Sequence, residues 1–224
     1  MAVCITSEPS SAVPKASGLS DRFLVAILVS GGGTNMEALI QAAKTGALPR
    51  ADIALVISNQ PEAGALQRAR SQGVTTLVVE SKSTPDEVFQ AEILKALVDH
   101  QIDIVCLAGY LKKVGHDIVT QFRGRILNIH PALLPKYGGT GMYGHHVHEA
   151  VLKAGDPESG CSVHVVDDEY DHGPVLAQAR VPVLKGDTPE RLAERVLEEE
   201  HKLYPKALED FCERLVASRR DTDD

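Results

Sequence analysis

Short apolar segments alternate with longer amphipathic segments along residues 23–130, and this alternation restricts the possible fold more than any other feature. Five runs rich in β-branched residues are predicted as buried strands, over residues 23–29, 51–58, 75–80, 102–109 and 125–130. Helices are predicted between them, over residues 34–44, 62–72, 85–100 and 114–122. Continuously apolar strands separated by helices are typical of a parallel sheet covered on both faces. The pattern therefore predicts an α/β fold, with a doubly wound, mostly parallel, Rossmann-like sheet.

The sequence changes character after His130, where residues 131–144 are rich in Gly and Pro and predict a loop. A short helix (146–154) and two strands (161–167 and 174–183) are predicted next, followed by a long C-terminal helix. Asp187 or Thr188 is suited to cap this helix, because both side chains accept hydrogen bonds from first-turn N–H groups. We expect Pro205 to kink or break the helix, because proline cannot donate its backbone hydrogen bond.

The bulk composition excludes several classes of protein. The chain has 224 residues, of which 43% are hydrophobic, and this is enough for one large domain. We predict a disordered leader over residues 1–22 and a single domain over residues 23–224. The net charge of -8 disfavours nucleic acid as a partner, and no apolar run reaches the length of about 18 residues that a membrane span needs. Four widely spaced cysteines indicate free thiols and a cytoplasmic location.

A glycine-rich turn, Ser-Gly-Gly-Gly-Thr-Asn at residues 30–35, joins the first predicted strand to the first predicted helix. Glycine permits positive φ angles, and the free N–H groups of a helix start attract anions. The turn is neither a dinucleotide-binding fingerprint nor a P-loop, because Met36 and the following residues break both patterns. A tight turn without a ligand is an equally good interpretation of the pattern itself. Ligands collect at the carboxyl ends of strands in such sheets, and this favours a phosphate site.

Asn128 and His130 lie at the end of the fifth predicted strand, and Asp171 lies in a turn-like Asp-His-Gly-Pro segment. Residues two apart on a strand share a face, so the Asn and His side chains are predicted to point the same way. Two hydrogen-bond donors aimed at one point suit a developing oxyanion. Each residue also has a purely structural interpretation, since aspartate before glycine is common in turns.

Several longer stretches resemble the phosphoribosylglycinamide formyltransferases, a branch of the folate-dependent formyltransferase family. They include VAILVSGGGTNMEALI, LAGYLKKV, ILNIHPALLPKY and EEEHKLYP, and the similarity runs from about residue 23 to residue 208. The combination of Asn-x-His-Pro, Leu-Leu-Pro, the glycine turn and Asp-x-Gly-Pro is highly specific to this family. The resemblance implies formyl transfer from 10-formyltetrahydrofolate, a co-substrate, to the amine of glycinamide ribonucleotide in purine biosynthesis.

The resemblance also implies roles for individual residues. Asn128, His130 and Asp171 match the catalytic positions, with Asn128 and a protonated His130 stabilising the oxyanion and Asp171 assisting proton transfer. His164 matches a histidine near the catalytic aspartate. The remaining implied contacts form two groups: the nucleotide substrate at Gly32, Gly33, Thr34, Asn35 and Glu200, and folate at Leu111, Lys112, Lys113, Val114 and Asn128. The nucleotide is expected in the N-terminal half and folate in the C-terminal half.

Other features of the sequence bear on the site and on alternative functions. The loop GGTGMYG (138–144) is longer than its counterpart in the family and is predicted to cover the site. The histidines at 145, 146 and 148 do not form a His-Glu-x-x-His metal motif, so no metal and no covalently bound cofactor are expected. A formyltetrahydrofolate hydrolase, a methionyl-tRNA formyltransferase and a nonenzymatic binding module are the alternatives. A monomer and a homodimer are both compatible with the sequence.

Overall fold

The computed structural model describes residues 21–220, and the predicted leader falls almost entirely outside the described residues. Within this part of the chain, seven strands form one sheet in the order β3-β2-β1-β4-β5-β6-β7. β1 to β5 are parallel, whereas β6 is antiparallel to both β5 and β7. The strands are β1 (Phe23–Val29), β2 (Ala51–Ser58), β3 (Thr75–Val78), β4 (Ile104–Leu107), β5 (Ile126–His130), β6 (Glu158–Val165) and β7 (Val175–Pro182). The mostly parallel α/β sheet predicted from the sequence is confirmed.

Helices connect the strands in the expected alternating order. In the described residues they are α1 (Thr34–Lys44), α2 (Gly64–Ser71), α3 (Asp86–Asp99), α4 (His116–Gln121), α5 (His145–Ala154) and α6 (Pro189–Arg220). The bounds of β1, β2 and α1 agree with the predicted bounds residue for residue, and the others differ by one to three residues. None of these helices is long and apolar enough to cross a membrane.

The core consists of two apolar clusters, one on each face of the sheet. Alternate residues of β1 belong to different clusters: Val25 and Ile27 to one, Ala26 and Leu28 to the other. Side chains of α1 and α6 complete the first cluster, and side chains of α3 and α4 complete the second. A strand buried on both faces needs apolar residues at every position, which explains the unbroken apolar sequence of β1.

Helix α6 continues through Pro205, so of the predicted kink or break, the break is wrong. Proline removes one intrahelical hydrogen bond, but residues on both sides of it are held by the core. Tyr204 is fully buried, and its hydroxyl lies 3.1 Å from Leu107 O and 3.0 Å from Leu127 O. Leu208, one turn later, is also fully buried. This packing offsets the lost hydrogen bond.

The start of α6 distinguishes between the two predicted caps. Thr188 Oγ1 accepts a hydrogen bond from the Arg191 N–H at 3.4 Å, as an N-cap does. Asp187 instead forms a bidentate pair with the Arg195 guanidinium, at 2.8 Å and 3.0 Å. Thr188 therefore caps the helix, whereas Asp187 holds a side chain of its second turn.

The strand order reverses between β1 and β4: β2 and β3 follow on one side of β1, whereas β4 and β5 lie on the other side. Ser30 links the two loops that follow these strands: its N–H donates to Gly109 O at 3.1 Å, and its Oγ accepts from the Leu111 N–H at 2.9 Å. In open α/β sheets the crevice at such a point is the usual place for a ligand.

Candidate active site

A cavity of about 870 Å³ lies beside the carboxyl ends of β4 and β5. Its volume falls within the range of about 300–1,000 Å³ that is usual for small-molecule sites. Its wall is formed by the start of α1, the end of β4 and the segment after it, β5, the glycine loop (138–144), the start of α5, the end of β6 and the loop after it, and α6. It is lined, among others, by Asn35, residues 111–114, Asn128, His130, residues 139–145, His164, Asp171 and Glu200. Most of the residues selected from the sequence therefore meet around one space.

Asn128 and His130 occupy alternate positions of β5, and both line the cavity. The amide nitrogen of Asn128 lies 3.0 Å from His164 Nε2 and 3.4 Å from Asp171 Oδ1. One N–H of the amide therefore faces the histidine ring nitrogen. The other makes only a long contact with the carboxylate, so it is the donor most easily redirected to a ligand.

The carboxylate of Asp171 is the point at which this cluster converges. It lies 3.5 Å from His130 Nδ1 and 3.4 Å from His164 Nε2, and it accepts the Gly139 N–H at 3.0 Å. Burial disfavours its ionised form most strongly, but His164, His130 and the Gly139 N–H together outweigh burial and lower the pKa of Asp171. The aspartate is therefore ionised at neutral pH. Its backbone adopts a φ of 54°, which is unusual for a residue other than glycine.

His130 is buried, and its two ring nitrogens face different acceptors. Nε2 lies 2.7 Å from Tyr137 O, and Nδ1 faces Asp171. A carbonyl oxygen only accepts, so Nε2 carries a proton. Burial lowers the pKa of His130 and outweighs the opposing effects of Asp171 and the Tyr137 carbonyl. Asp171 thus favours the predicted imidazolium, but in the free protein desolvation has the larger, opposite effect.

His164 belongs to the same cluster, paired with Asn128 across the β5–β6 ladder. It is almost fully buried, and its Nδ1 lies 3.0 Å from Val165 O. By the same reasoning Nδ1 carries a proton, and Nε2 faces both the Asn128 amide and the Asp171 carboxylate. The histidine thus orients the amide and contacts the carboxylate.

The glycine turn is built as its sequence predicts, but only its last residue reaches the cavity. Gly33 has a φ of 77°, and a Cβ there would lie 2.5 Å from Ala65 Cβ, so only glycine fits. Asn35 lines the cavity and donates to Glu200 Oε2 at 2.6 Å. Burial raises the pKa of Glu200 to about 7. The other predicted residues of the turn, Gly32, Gly33 and Thr34, do not line this cavity.

The segment predicted to bind folate, residues 111–114, also lines the cavity. The Lys113 ammonium lies 5.8 Å from the centre of the Tyr170 ring, within the range of a cation–π contact. Tyr143, from the glycine loop, is half exposed at the rim. Neither tyrosine was selected from the sequence. An exposed aromatic side chain carries no periodic signal, so only the fold reveals that it borders a cavity.

The histidine cluster of α5 takes part in carboxylate pairs. His145 Nε2 lies 3.2 Å from a Glu149 oxygen and 3.6 Å from a Glu190 oxygen, and His146 Nδ1 lies 3.4 Å from Glu149. Burial lowers the pKa of His148 to about 4. Within residues 21–220, no three such side chains are arranged to hold a metal ion. His148 lines the cavity and was not selected among the predicted site residues.

Fold and site together define a transferase of the formyl transferase class, and the model of the formyl transferase family matches residues 24–208. The phosphoribosylglycinamide formyltransferase of Escherichia coli (strain K12) is 38% identical over 190 residues, covering 84% of this chain and 87% of that protein. A chloroplastic phosphoribosylglycinamide formyltransferase of Arabidopsis thaliana is 44% identical over 199 residues, covering 88% and 68%. The chain belongs to the phosphoribosylglycinamide formyltransferase family.

Solved structures agree with this assignment. The phosphoribosylglycinamide formyltransferase of Brucella melitensis is 47% identical, with a TM-score of 0.79, over 85% of this chain and 96% of that one. Glycinamide ribonucleotide transformylase 1 of Symbiobacterium toebii is 38% identical, with a TM-score of 0.82, over 91% and 93%. The family assigned from sequence motifs is confirmed.

Proposed function

We propose that this protein transfers the formyl group of 10-formyltetrahydrofolate to the amine of glycinamide ribonucleotide. The observation that carries the proposal is the meeting of Asn128, His130, His164 and Asp171 in the wall of one cavity. The relatives from Escherichia coli and Arabidopsis thaliana, whose names give this acceptor, support the choice of substrate.

The acceptor nucleotide would bind between the glycine turn and α6. The first N–H groups of α1 have no partner within the helix, so they suit a phosphate. Asn35 and Glu200 lie beside them and offer polar contacts for the sugar. These two residues come from opposite ends of the chain, so the proposed nucleotide site draws on both halves of the single domain predicted over residues 23–224.

The folate would occupy the other end of the cavity, along residues 111–114. Leu111 is 61% exposed and offers an apolar surface to a ring. Lys112 and Lys113 are cations in the wall of this part of the cavity and suit the carboxylates of a folate tail. The formyl group would then lie beside Asn128, between the two substrates.

Reaction begins when the acceptor amine attacks the formyl carbon, forming a C–N bond and a tetrahedral oxyanion. The C–N bond to the folate then breaks, and the folate nitrogen takes up the proton that the amine has released. The amine must lose a proton along the way. Neutral His130 with ionised Asp171 is suited to accept it, because proton uptake at Nδ1 creates an ion pair with the carboxylate.

The oxyanion needs a hydrogen-bond donor, and Asn128 is the residue placed to supply it. Its second N–H makes only the 3.4 Å contact with Asp171, so turning toward the substrate costs little. The Nε2–H of His130 is engaged with Tyr137 O, which leaves this histidine the proton-accepting role. Both substrates are small molecules, and the chemistry requires no metal.

Acceptor dependence is the experiment that tests the proposal. Purified protein is incubated with 10-formyltetrahydrofolate, with and without glycinamide ribonucleotide, and folate absorbance is followed. Formyl transfer only with the acceptor supports the proposal. Formyl loss without any acceptor identifies a hydrolase, and binding of both ligands without turnover identifies a binding module. The Asp171→Asn variant controls for uncatalysed transfer. The cytoplasmic location stays a prediction, and the Arabidopsis thaliana relative is named chloroplastic.

A further inference from the structure

Tyr137 has a backbone conformation that needs support from its surroundings. Its φ is 57°, in the left-handed region that residues with a side chain rarely adopt. This conformation directs its main-chain carbonyl to His130 Nε2, at 2.7 Å. The side chain of His130 is 4% exposed, so this carbonyl and Asp171 are the polar groups that face its ring nitrogens. The orientation of the histidine therefore depends on how Tyr137 is held.

The side chain of Tyr137 is anchored on the opposite side of the loop. Its hydroxyl donates to Asp156 Oδ2 at 2.9 Å, and the Lys136 ammonium lies 3.0 Å from the same oxygen. Burial and the neighbouring Asp156 raise the pKa of Tyr137, so the hydroxyl keeps its proton and remains a donor. Lys136 and Tyr137 lower the pKa of Asp156, which therefore stays an ionised acceptor.

Asp156 occupies a fixed position between two elements. It follows Gly155, which ends α5 with a φ of 71°, and it precedes β6. Tyr137 and Asp156 both line a second cavity of about 370 Å³, whereas neither lines the cavity that contains Asn128 and Asp171. Tyr137 therefore contacts His130 from the side that faces away from the proposed substrate cavity.

We propose that Tyr137 and Asp156 are positioning residues for His130. Asp156 holds the Tyr137 hydroxyl, and the Tyr137 carbonyl holds the Nε2–H of His130. The consequence is chemical as well as geometric: with the proton fixed on Nε2, the lone pair of the neutral ring is on Nδ1, beside Asp171. Proton uptake then occurs where the carboxylate can stabilise it. This inference rests on the proposed function, in which His130 accepts a proton.

Tyr137→Phe removes the anchoring hydroxyl, and Asp156→Ala removes its acceptor. We expect each to lower kcat about 3- to 10-fold, the order of effect of one lost intramolecular hydrogen bond, with KM for both substrates unchanged. Asp156→Asn retains an oxygen acceptor and should restore most of kcat. Lys136→Met is the matched control, because it removes the ammonium group that pairs with Asp156 and leaves the tyrosine contact in place.

A second readout follows the histidine itself and needs no substrate. Long-range ¹H–¹⁵N spectra of protein labelled at histidine report which ring nitrogen carries the proton, and His130→Gln identifies the resonances of His130. Wild type and Lys136→Met should show the Nε2–H form. Tyr137→Phe and Asp156→Ala should show both neutral forms. Thermal unfolding confirms that each variant is folded.

The inference is overturned if Tyr137→Phe and Asp156→Ala retain the wild-type kcat and the single Nε2–H form. It is also overturned if Asp156→Asn is as impaired as Asp156→Ala, since an acceptor alone would then be insufficient. Absence of formyl transfer by the wild type would refute the proposed function. The histidine spectra would still show whether Tyr137 and Asp156 position the ring.

Discussion

The side-chain nitrogen of Asn35 lies 2.6 Å from Glu200 Oε2, joining the first turn of α1 to a residue 165 positions later in α6. The carboxyl group is buried, and its pKa is raised to about 7 because burial disfavours the charge. An ordinary glutamate has a value of 4.5. The folded protein therefore holds this proton more tightly than the unfolded chain does.

Glu200→Gln should make the protein more stable at pH 8 and change little at pH 4.5. Wild type loses folding free energy as pH rises from about 4.5 to about 7, because the unfolded chain releases the proton first. Glutamine does not titrate and still offers an oxygen to Asn35. The gain at pH 8 should reach at most about 3 kcal/mol, the equivalent of the pKa difference. Urea unfolding at the two pH values measures it.

Glu198→Gln is the control for this prediction, because Glu198 is an exposed residue on the same helix. It should show no such pH dependence. An equal effect of Glu200→Gln at both pH values would contradict the assignment of a raised pKa to Glu200.

Asn128→Ala should lower kcat about 100- to 1,000-fold, the usual cost of removing one oxyanion donor. Truncation also leaves His164 Nε2 without its 3.0 Å partner, so a modest loss of thermal stability should accompany it. Steady-state formyl transfer with glycinamide ribonucleotide measures the effect. A variant with wild-type kcat would remove Asn128 from the mechanism.

Asp171→Asn should lower kcat by about 100-fold or more, since it removes the charge that stabilises the proton on His130. Asp168→Asn is the matched control, because Asp168 lies in the same loop, is exposed and pairs with His116. It should retain wild-type turnover. Comparable losses in both variants would indicate damage to the loop instead of loss of a catalytic charge.

The pH profile should also change in Asp171→Asn. If His130 must be neutral to accept a proton, activity rises with pH through its pKa, which burial places below 6.5. Asp171 raises this pKa, so its removal should lower the pKa further and move the acid limb of kcat/KM to lower pH. Profiles of residual activity between pH 5 and pH 8 test this. A shift to higher pH would refute the proton-accepting role.

Gly33→Ala should destabilise the protein by about 2–4 kcal/mol, because it combines an unfavourable φ of 77° with a clash against Ala65. Gly46→Ala is the matched control: its φ is 81°, and a Cβ there meets nothing within 4 Å. It should lose only about 1–2 kcal/mol, the cost of the left-handed conformation. The difference in urea unfolding isolates the clash. Equal losses would mean that α2 moves aside.

Much of the fold could be predicted because it depends on local patterns. β1 is apolar throughout, and β2 is apolar apart from Asp52 and Ser58, as a sheet covered on both faces requires. The helix does not break at Pro205 for a tertiary reason: the burial of Tyr204 and Leu208 outweighs a local preference, and no local pattern reveals it.

Most of the predicted site residues line one cavity, whereas the pKa values of their side chains could not be predicted. Asn128, His130 and Asp171 were selected by motif, and they meet as expected. The lowered pKa of His130 could not be predicted from the motif, because desolvation depends on everything that surrounds the ring. Tyr137 could not have been found from sequence, because its contribution is a backbone carbonyl directed by a positive φ.

Because α6 is one continuous helix, it fixes the distance between the residues that it presents along its length. Glu200 bonds to Asn35 beside the proposed nucleotide site, and Tyr204, one turn later, bonds to Leu127 O immediately before Asn128. The helix thus sets the spacing between the proposed nucleotide site and Asn128. Because transfer requires the amine to meet the formyl carbon within a fraction of an ångström, a change in helical phase between these residues would misalign the substrates while leaving each site intact.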